Sequence, residues 1–359
     1  MPRFHTAVAL IAAAAATVAA MPAHAQAAAP AATSSNVVIY GLIDAVVRRA
    51  SNVSATGDSI WSMEDGIFTG SRFGFRGTED LGGGLRAVFT MESGFDPSSG
   101  GSLQGTTTAD YGQEAINPRF WGREVHLALR GDWGGVTLGR QYTVAHQIAA
   151  RFQPLGNPNN VALSVFSSHH VARQDNVLRL DGKLGDVELQ VARTFGEQAA
   201  SSSANGSWAV GAGYTKDALS LGAYVQQMEN RAGIEKRKIV GLGGNVKLNP
   251  MFTLFAGYMQ RSAEVSPQEN KVWALGANVE LSPLVTLSVE YFDDKQSGST
   301  ALEGARKVAW VTANYRFSRR TDVYAEIDHN KVDGGYAKPA FMGTLGSQTA
   351  LGLGLRHRF

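Results

Sequence analysis

The chain has no cysteine. That absence removes disulfide frameworks and thiolate chemistry together. Past residue 25 it also lacks any apolar run of about 20 residues, the length a helix needs to cross a bilayer. Charge of one sign is lacking too, since 33 Lys and Arg stand against 31 Asp and Glu, a formal net charge of +2. Such a balance is no nucleic-acid signature. The histidines past residue 25 (His126, His146, His169, His170, His329 and His357) show no H-x-x-x-H or H-E-x-x-H spacing, and there is no G-x-S-x-G turn. Gly82-Gly83-Gly84 opens no helix, so it reads as a hairpin turn and not as a phosphate cradle. No catalytic, metal or cofactor site is expected. One absence is local: no Asp or Glu occurs between Asp132 and Asp175.

What is present starts with an export signal. Arg3 is a positive n-region, Ala7 to Ala20 an apolar stretch, and Ala23-His24-Ala25 a small-x-small cleavage site. Residues 1–25 are therefore expected to be a cleaved signal peptide, and 26–359 the mature domain.

The mature chain reads as sixteen strands with period-2 alternation, bounded by turn residues. They fall at Asn36–Arg48, Ile67–Gly77, Gly84–Glu92, Phe120–Arg130, Gly135–Gln141, Arg173–Gly182, Val187–Phe195 and Ser207–Thr215. The second half continues at Leu219–Met228, Lys238–Leu248, Met251–Arg261, Lys271–Leu281, Leu284–Asp293, Arg306–Phe317, Thr321–Lys331 and Ser347–Phe359. Short connectors such as Asn249-Pro250 alternate with longer polar ones such as Ser297–Ala305. A soluble sandwich has no reason to segregate its loops this way; an outer-membrane barrel does. Trp273, Leu275, Ala277 and Val279 share one face, opposite Gly276, Asn278 and Glu280. The apolar face is assigned to lipid and the polar face to a wet lumen. Trp273, Tyr214, Tyr291, Tyr315 and Phe317 sit near strand ends on the apolar face, where aromatic girdles lie. The fold class is all-β, a 16-stranded antiparallel transmembrane barrel.

Several segments resemble the trimeric general porins of Gram-negative outer membranes, and most closely their β-proteobacterial branch. They are Ile39-Tyr40-Gly41-Leu42-Ile43-Asp44, the hairpin from Ser71 to Leu85, Met91-Glu92-Ser93-Gly94-Phe95, Val136 to Tyr142, Ser318 to Tyr324, and the closing Arg356-His357-Arg358-Phe359. The resemblance implies a homotrimer in outer-membrane lipid and lipopolysaccharide, passive diffusion of small hydrophilic solutes, and a third loop folded into the barrel. Phe359 is the expected signal for the barrel assembly machinery.

The third loop spans Tyr142 to about Ala172. By length alone it is either an outer flap or an inward constriction; the resemblance implies the second. It carries no carboxylate, a departure from the acidic loops usual in that family. Parity aims Arg72 and Arg76 of the second strand, Arg86 and Glu92 of the third, and Arg173 and Arg179 of the sixth into the lumen, and Asp44 with them. Arg72 and Arg173 match positions where related anion-selective porins carry pore arginines. Arg123 matches another, although its parity with Val125 and Leu127 points outward unless the strand bulges. Guanidinium stays charged and offers five donors to anions. A weak anion preference is therefore expected. The rival is a substrate-specific channel using Tyr40, Trp61, Trp121, Phe152 and Phe166 as an aromatic slide. Lys236 and Arg237 are read as belonging to an outer loop, screened by solvent.

Overall fold

The computed structural model describes residues 36–104, 110–114, 119–199 and 201–359. The expected signal peptide lies outside the described residues. The strands are β1 (Asn36–Ala50), β2 (Arg72–Gly82), β3 (Leu85–Phe95), β4 (Glu124–Gly131), β5 (Gly134–Tyr142), β6 (Arg173–Leu184), β7 (Val187–Thr194) and β8 (Ser207–Lys216). They continue with β9 (Leu219–Glu229), β10 (Lys236–Lys247), β11 (Phe252–Ala263), β12 (Glu269–Ser282), β13 (Val285–Ser297), β14 (Gly304–Arg316), β15 (Thr321–Gly334) and β16 (Ser347–Arg358).

Each strand pairs antiparallel with its sequence neighbours, and β1 closes the sheet on β16 from Leu42↔Arg358 to Ala50↔Ala350. Closure leaves no open edge, which is what lets strands cross hydrocarbon. Alternation sets the facing. Trp273 and Leu275 point outward, 60% and 66% exposed, while Val272 and Ala274 between them are buried.

The second strand departs from its expected course. A short strand, Ile60–Asp65, first pairs with the Ala45–Ala50 half of β1. The chain then dips inward over residues 66–71 before β2 pairs with the Asn36–Leu42 half. Ile67, read as a strand residue, is wholly buried. Asp44 causes the dip. Its carboxylate accepts from Thr69 N and Oγ1, both at 3.1 Å, and from the Tyr324 hydroxyl at 2.7 Å. Phe68 stacks on Tyr324 with centroids 4.0 Å apart. Asp44 is therefore a buried anchor, not the lumen-facing charge that parity suggested.

The polar-lumen reading also needs correction on one side. The inner faces of β10 to β14 carry Ile239, Met259, Val272, Phe292, Val308 and Trp310, all buried. They pack against the third loop, which is folded inside. It forms α1 (Val144–Ala149), a single turn of 3-10 helix (Ala150–Phe152) and α2 (Phe166–His169). Val144, Ile148, Phe152, Leu163 and Phe166 complete one apolar cluster with that wall. Burying each of these larger side chains contributes about 1.5–3 kcal/mol.

Candidate pore constriction

Loop 3 is held to the wall by a groove of small residues and by carbonyl bonds. Gly211 and Gly213 of β8, Gly222 of β9, Gly243 of β10, Gly257 of β11 and Gly276 of β12 face it. A Cβ at Gly211 would lie 2.5 Å from Val144, at Gly222 2.7 Å from Ile148, and at Gly257 2.8 Å from Phe152. Asn245, Trp310, Arg306 and Asn330 donate to loop carbonyls of Arg151, Leu163, Val161 and Ala162. Arg151, the arginine of the loop itself, pairs with Glu188 of β7 at 2.5 Å. At its far side the loop meets the inward dip, where Asn159 and Asn160 donate their amides to Phe68 and Ile67. His169 reaches Asp294 of β13 at 2.6 Å.

The opposite wall, β2 to β6, carries the arginines. Arg123 precedes the first residue of β4, where the chain is irregular, so both it and Glu124 turn inward while Val125 and Leu127 are exposed outside. Arg123 lies in a bend before the strand begins, so strand parity does not govern it, and no bulge is needed. Arg123 pairs with Glu92 at 2.6 Å and donates to the Tyr142 hydroxyl at 2.7 Å. Arg173 donates to the same hydroxyl, with its guanidinium 4.2 Å from the Tyr142 ring centre. Arg72 lies 3.7 Å from Glu92 and donates to Gly70 O. Tyr40 donates to Glu92 at 3.0 Å, and Arg76 lies 4.9 Å from the Tyr40 ring. Further from loop 3, Arg179 and Arg130 share Asp181 at 3.0 and 2.8 Å. Arg86 is exposed near the short turn, across from Asp80.

Arg72, Arg123, Arg173 and Glu92 thus converge, Arg76 and Arg179 stand on the same wall, Arg86 lies apart, and Asp44 is elsewhere. The hub is Tyr142, to which the sequence reading gave no role. Its position as the last residue of β5 is what places it between Arg123 and Arg173. Tyr142 also stacks on His146 at 4.8 Å, and His146 Nδ1 lies 3.1 Å from His170 Nε2. Burial pushes the His170 imidazole down to about 3, with His169 adding to the effect. Burial likewise holds His146 well below its ordinary value, followed by His170, Arg173 and Arg123.

A family described as Gram-negative porin matches residues 9–335. The chain belongs to this family. An outer membrane porin protein of Bordetella pertussis is 31% identical over 159 residues, covering 40% of this chain and 38% of that protein. Outer membrane porin protein 32 of Delftia acidovorans is 34% identical over 113 residues, 32% of this chain and 28% of that one. The matches therefore span roughly a third of the length of these curated relatives. The solved anion-selective porin from Comamonas acidovorans superposes with a TM-score of 0.75 at 21% identity, covering 91% of this chain and all of that one. That likeness shows the fold: a closed antiparallel barrel whose strand count agrees with the sequence reading. This is an outer-membrane porin barrel.

One expectation fails at the mouth. Arg237 does not lie on a screened outer loop. It is the second residue of β10 and faces inward, its guanidinium 4.2 Å from the Tyr111 ring centre.

Proposed function

We propose that the chain forms a water-filled channel for passive diffusion of ions and small hydrophilic solutes, with a weak anion preference, and performs no catalysis. The observation that carries the sign is a charge imbalance along the wall opposite the packed loop. Arg72, Arg76, Arg123, Arg130, Arg173 and Arg179 line the open wall against Glu92, Glu124 and Asp181. The loop facing that wall contributes no acid. Arg173 has no carboxylate within 4.0 Å among the described residues and donates one N–H to the Tyr142 hydroxyl. Like charges lining a narrow passage with low-dielectric walls focus potential and select by sign. The name of the Comamonas porin supports the same reading.

The assembly is a homotrimer. The apolar outer face near β2 supports this: Phe73, Phe75, Phe120 and Trp121 form one aromatic cluster there, with Phe120 62% exposed. Phe73 and Phe75, with Leu351 and Leu353 of β16, are the proposed subunit contacts. The trimer sits in outer-membrane lipid and lipopolysaccharide after loss of residues 1–25 and handling by the barrel assembly machinery.

The test is the reversal potential of the purified protein in a planar bilayer under a KCl gradient. The wild type should prefer chloride, and Arg173→Ser or Arg72→Ser should move the potential toward potassium. The shift should shrink near 1 M salt, where the Debye length is about 3 Å. A cation-preferring wild type rejects the reading.

A further inference from the structure

Outside the constriction, two arginines share one inward face without an ion-pair partner among the described residues. Arg261 of β11 pairs in register with Ile239 of β10, and Arg237 lies two residues along the same inward face. Such diagonal neighbours on one face are within reach of long side chains. The Nε atoms of both arginines are buried without a hydrogen-bond partner. Neither has a carboxylate within 4.0 Å among the described residues. Residues 105–109 and 115–118 add no Asp or Glu in sequence.

The nearby acids are committed elsewhere. Asp110 accepts from Arg231 N at 2.7 Å. Glu235 accepts from the amides of Glu264, Val265 and Ser266 at 2.9, 3.0 and 2.7 Å. Asp294 is taken by His169, Tyr336 and Asn270. Both residues are half-buried, and partly desolvating two neighbouring cations without an anion is unfavourable, so the arrangement favours an anion that arrives.

A second loop builds the other side. Residues 110–114 lie against the start of β6 and against Asn205, just before β8. Gln174 donates to Tyr111 O at 2.6 Å, Asp175 N to Gly112 O at 2.8 Å, and Gly112 N to Asn205 Oδ1 at 3.1 Å. These bonds fix Tyr111, with its ring under the Arg237 guanidinium.

We propose that Arg237 and Arg261, with Tyr111 as an aromatic base, form a binding subsite for small oxyanions, carboxylate or phosphate, above loop 3. Solute pauses there before reaching Arg72, Arg123 and Arg173. Arg261 Nη1 donates to Asn270 Oδ1 at 3.5 Å; the remaining terminal N–H groups of the two planar guanidiniums have the geometry that carboxylate and phosphate accept. The subsite rests on the reading of this barrel as an open channel, and it adds a saturable step to a passive pore.

The test is single-channel current in 1 M KCl, where the Debye length of about 3 Å confines the effect of a charge to direct contact. Acetate and inorganic phosphate are titrated separately from the side of the long loops. In the wild type the current should fall to a plateau, with the anion that binds better reaching it at lower concentration. In Arg237→Gln/Arg261→Gln the half-blocking concentration, measured relative to each protein's own current without added oxyanion, should rise at least tenfold. Arg261→Gln alone serves if the pair impairs assembly. Arg72→Ser should move the reversal potential yet keep the block. A linear response in the wild type, or equal half-blocking concentrations in wild type and variant, overturns the subsite. A cation-preferring wild type that keeps a variant-sensitive block rejects the selectivity reading and leaves the subsite standing.

Discussion

Phe359 and Gly41 exchange both backbone hydrogen bonds, N to O at 3.0 and 3.1 Å, and the Phe359 ring occupies the place of a Gly41 side chain. A Cβ on Gly41 would come within 2.2 Å of that ring. The last residue is thus the final rung between β16 and β1, and the rung needs a glycine opposite it.

Deleting Phe359 removes two hydrogen bonds, each a net stabilisation of about 0.5–1.5 kcal/mol, plus the ring contact. Gly41→Leu should do similar harm from the other side by displacing the ring. Both variants should lower the yield of folded barrel severalfold while the molecules that do assemble conduct normally. Heat-modifiable mobility on gels gives the yield, and bilayer recording gives the conductance. Normal yield from both variants would mean that the rung plays no part in assembly.

Glu92 accepts from Arg123 and Tyr40 and lies near Arg72, while being 4% exposed. Arg123 is 3% exposed. Removing one partner of a buried pair costs about 3–5 kcal/mol, because the other charge is left uncompensated. Arg123→Gln should therefore lower the denaturation midpoint more than Arg123→Gln/Glu92→Gln does. The cycle also separates stability from selectivity. Losing Arg123 alone should reduce anion preference, and the double variant should restore part of it. Additive losses of stability in the two single variants would show that the pair is not coupled.

The barrel was legible because its signal is redundant: period-2 alternation is written in strand after strand, and Phe359 marks the close. The inward arginines followed from the same parity, and Arg123 needed only the irregular start of β4. What misled was parity applied where another segment comes inside. Asp44 has lumen parity but is capped by residues 66–71, a non-local contact to Thr69 and Tyr324. The apolar inner wall did leave a trace. Lys307-Val308-Ala309-Trp310-Val311 has apolar residues on both parities, the pattern of a strand buried on both faces. Loop 3 supplies the second covering. Arg237 was misplaced for a boundary reason, since β10 begins at Lys236, two residues earlier than alternation alone suggests.

Loop 3 rests on glycines, so a methyl group should lift it. At Gly257 a Cβ would sit 2.8 Å from Phe152 and 2.9 Å from Phe166. Overpacking of this kind typically costs about 1–3 kcal/mol. Gly257→Ala should raise single-channel conductance and widen the size cut-off for neutral sugars. Gly182→Ala, where the nearest atom is 3.9 Å away, should change neither. An unchanged cut-off in Gly257→Ala would show that the wall yields and the loop does not.

The His146–His170 contact makes loop 3 acid-sensitive. Two imidazole nitrogens 3.1 Å apart share one proton, one ring donating and the other accepting. Protonating both sets N–H against N–H, beside Arg173 and Arg123. An unfolded imidazole takes up a proton near pH 6.5. In the docked loop His170 does so only at about 3, and His146 is likewise lowered. Between those values the undocked loop binds more protons than the docked one. Docking is therefore at full strength above about pH 6.5 and weakens steadily as the pH falls below it. Open-channel current noise should grow between pH 7 and pH 4. In His146→Gln/His170→Gln, whose amides keep one hydrogen bond without titrating, the growth should be largely lost. If acid raises the noise equally in both proteins, the response belongs to the carboxylates of the wall and not to this pair.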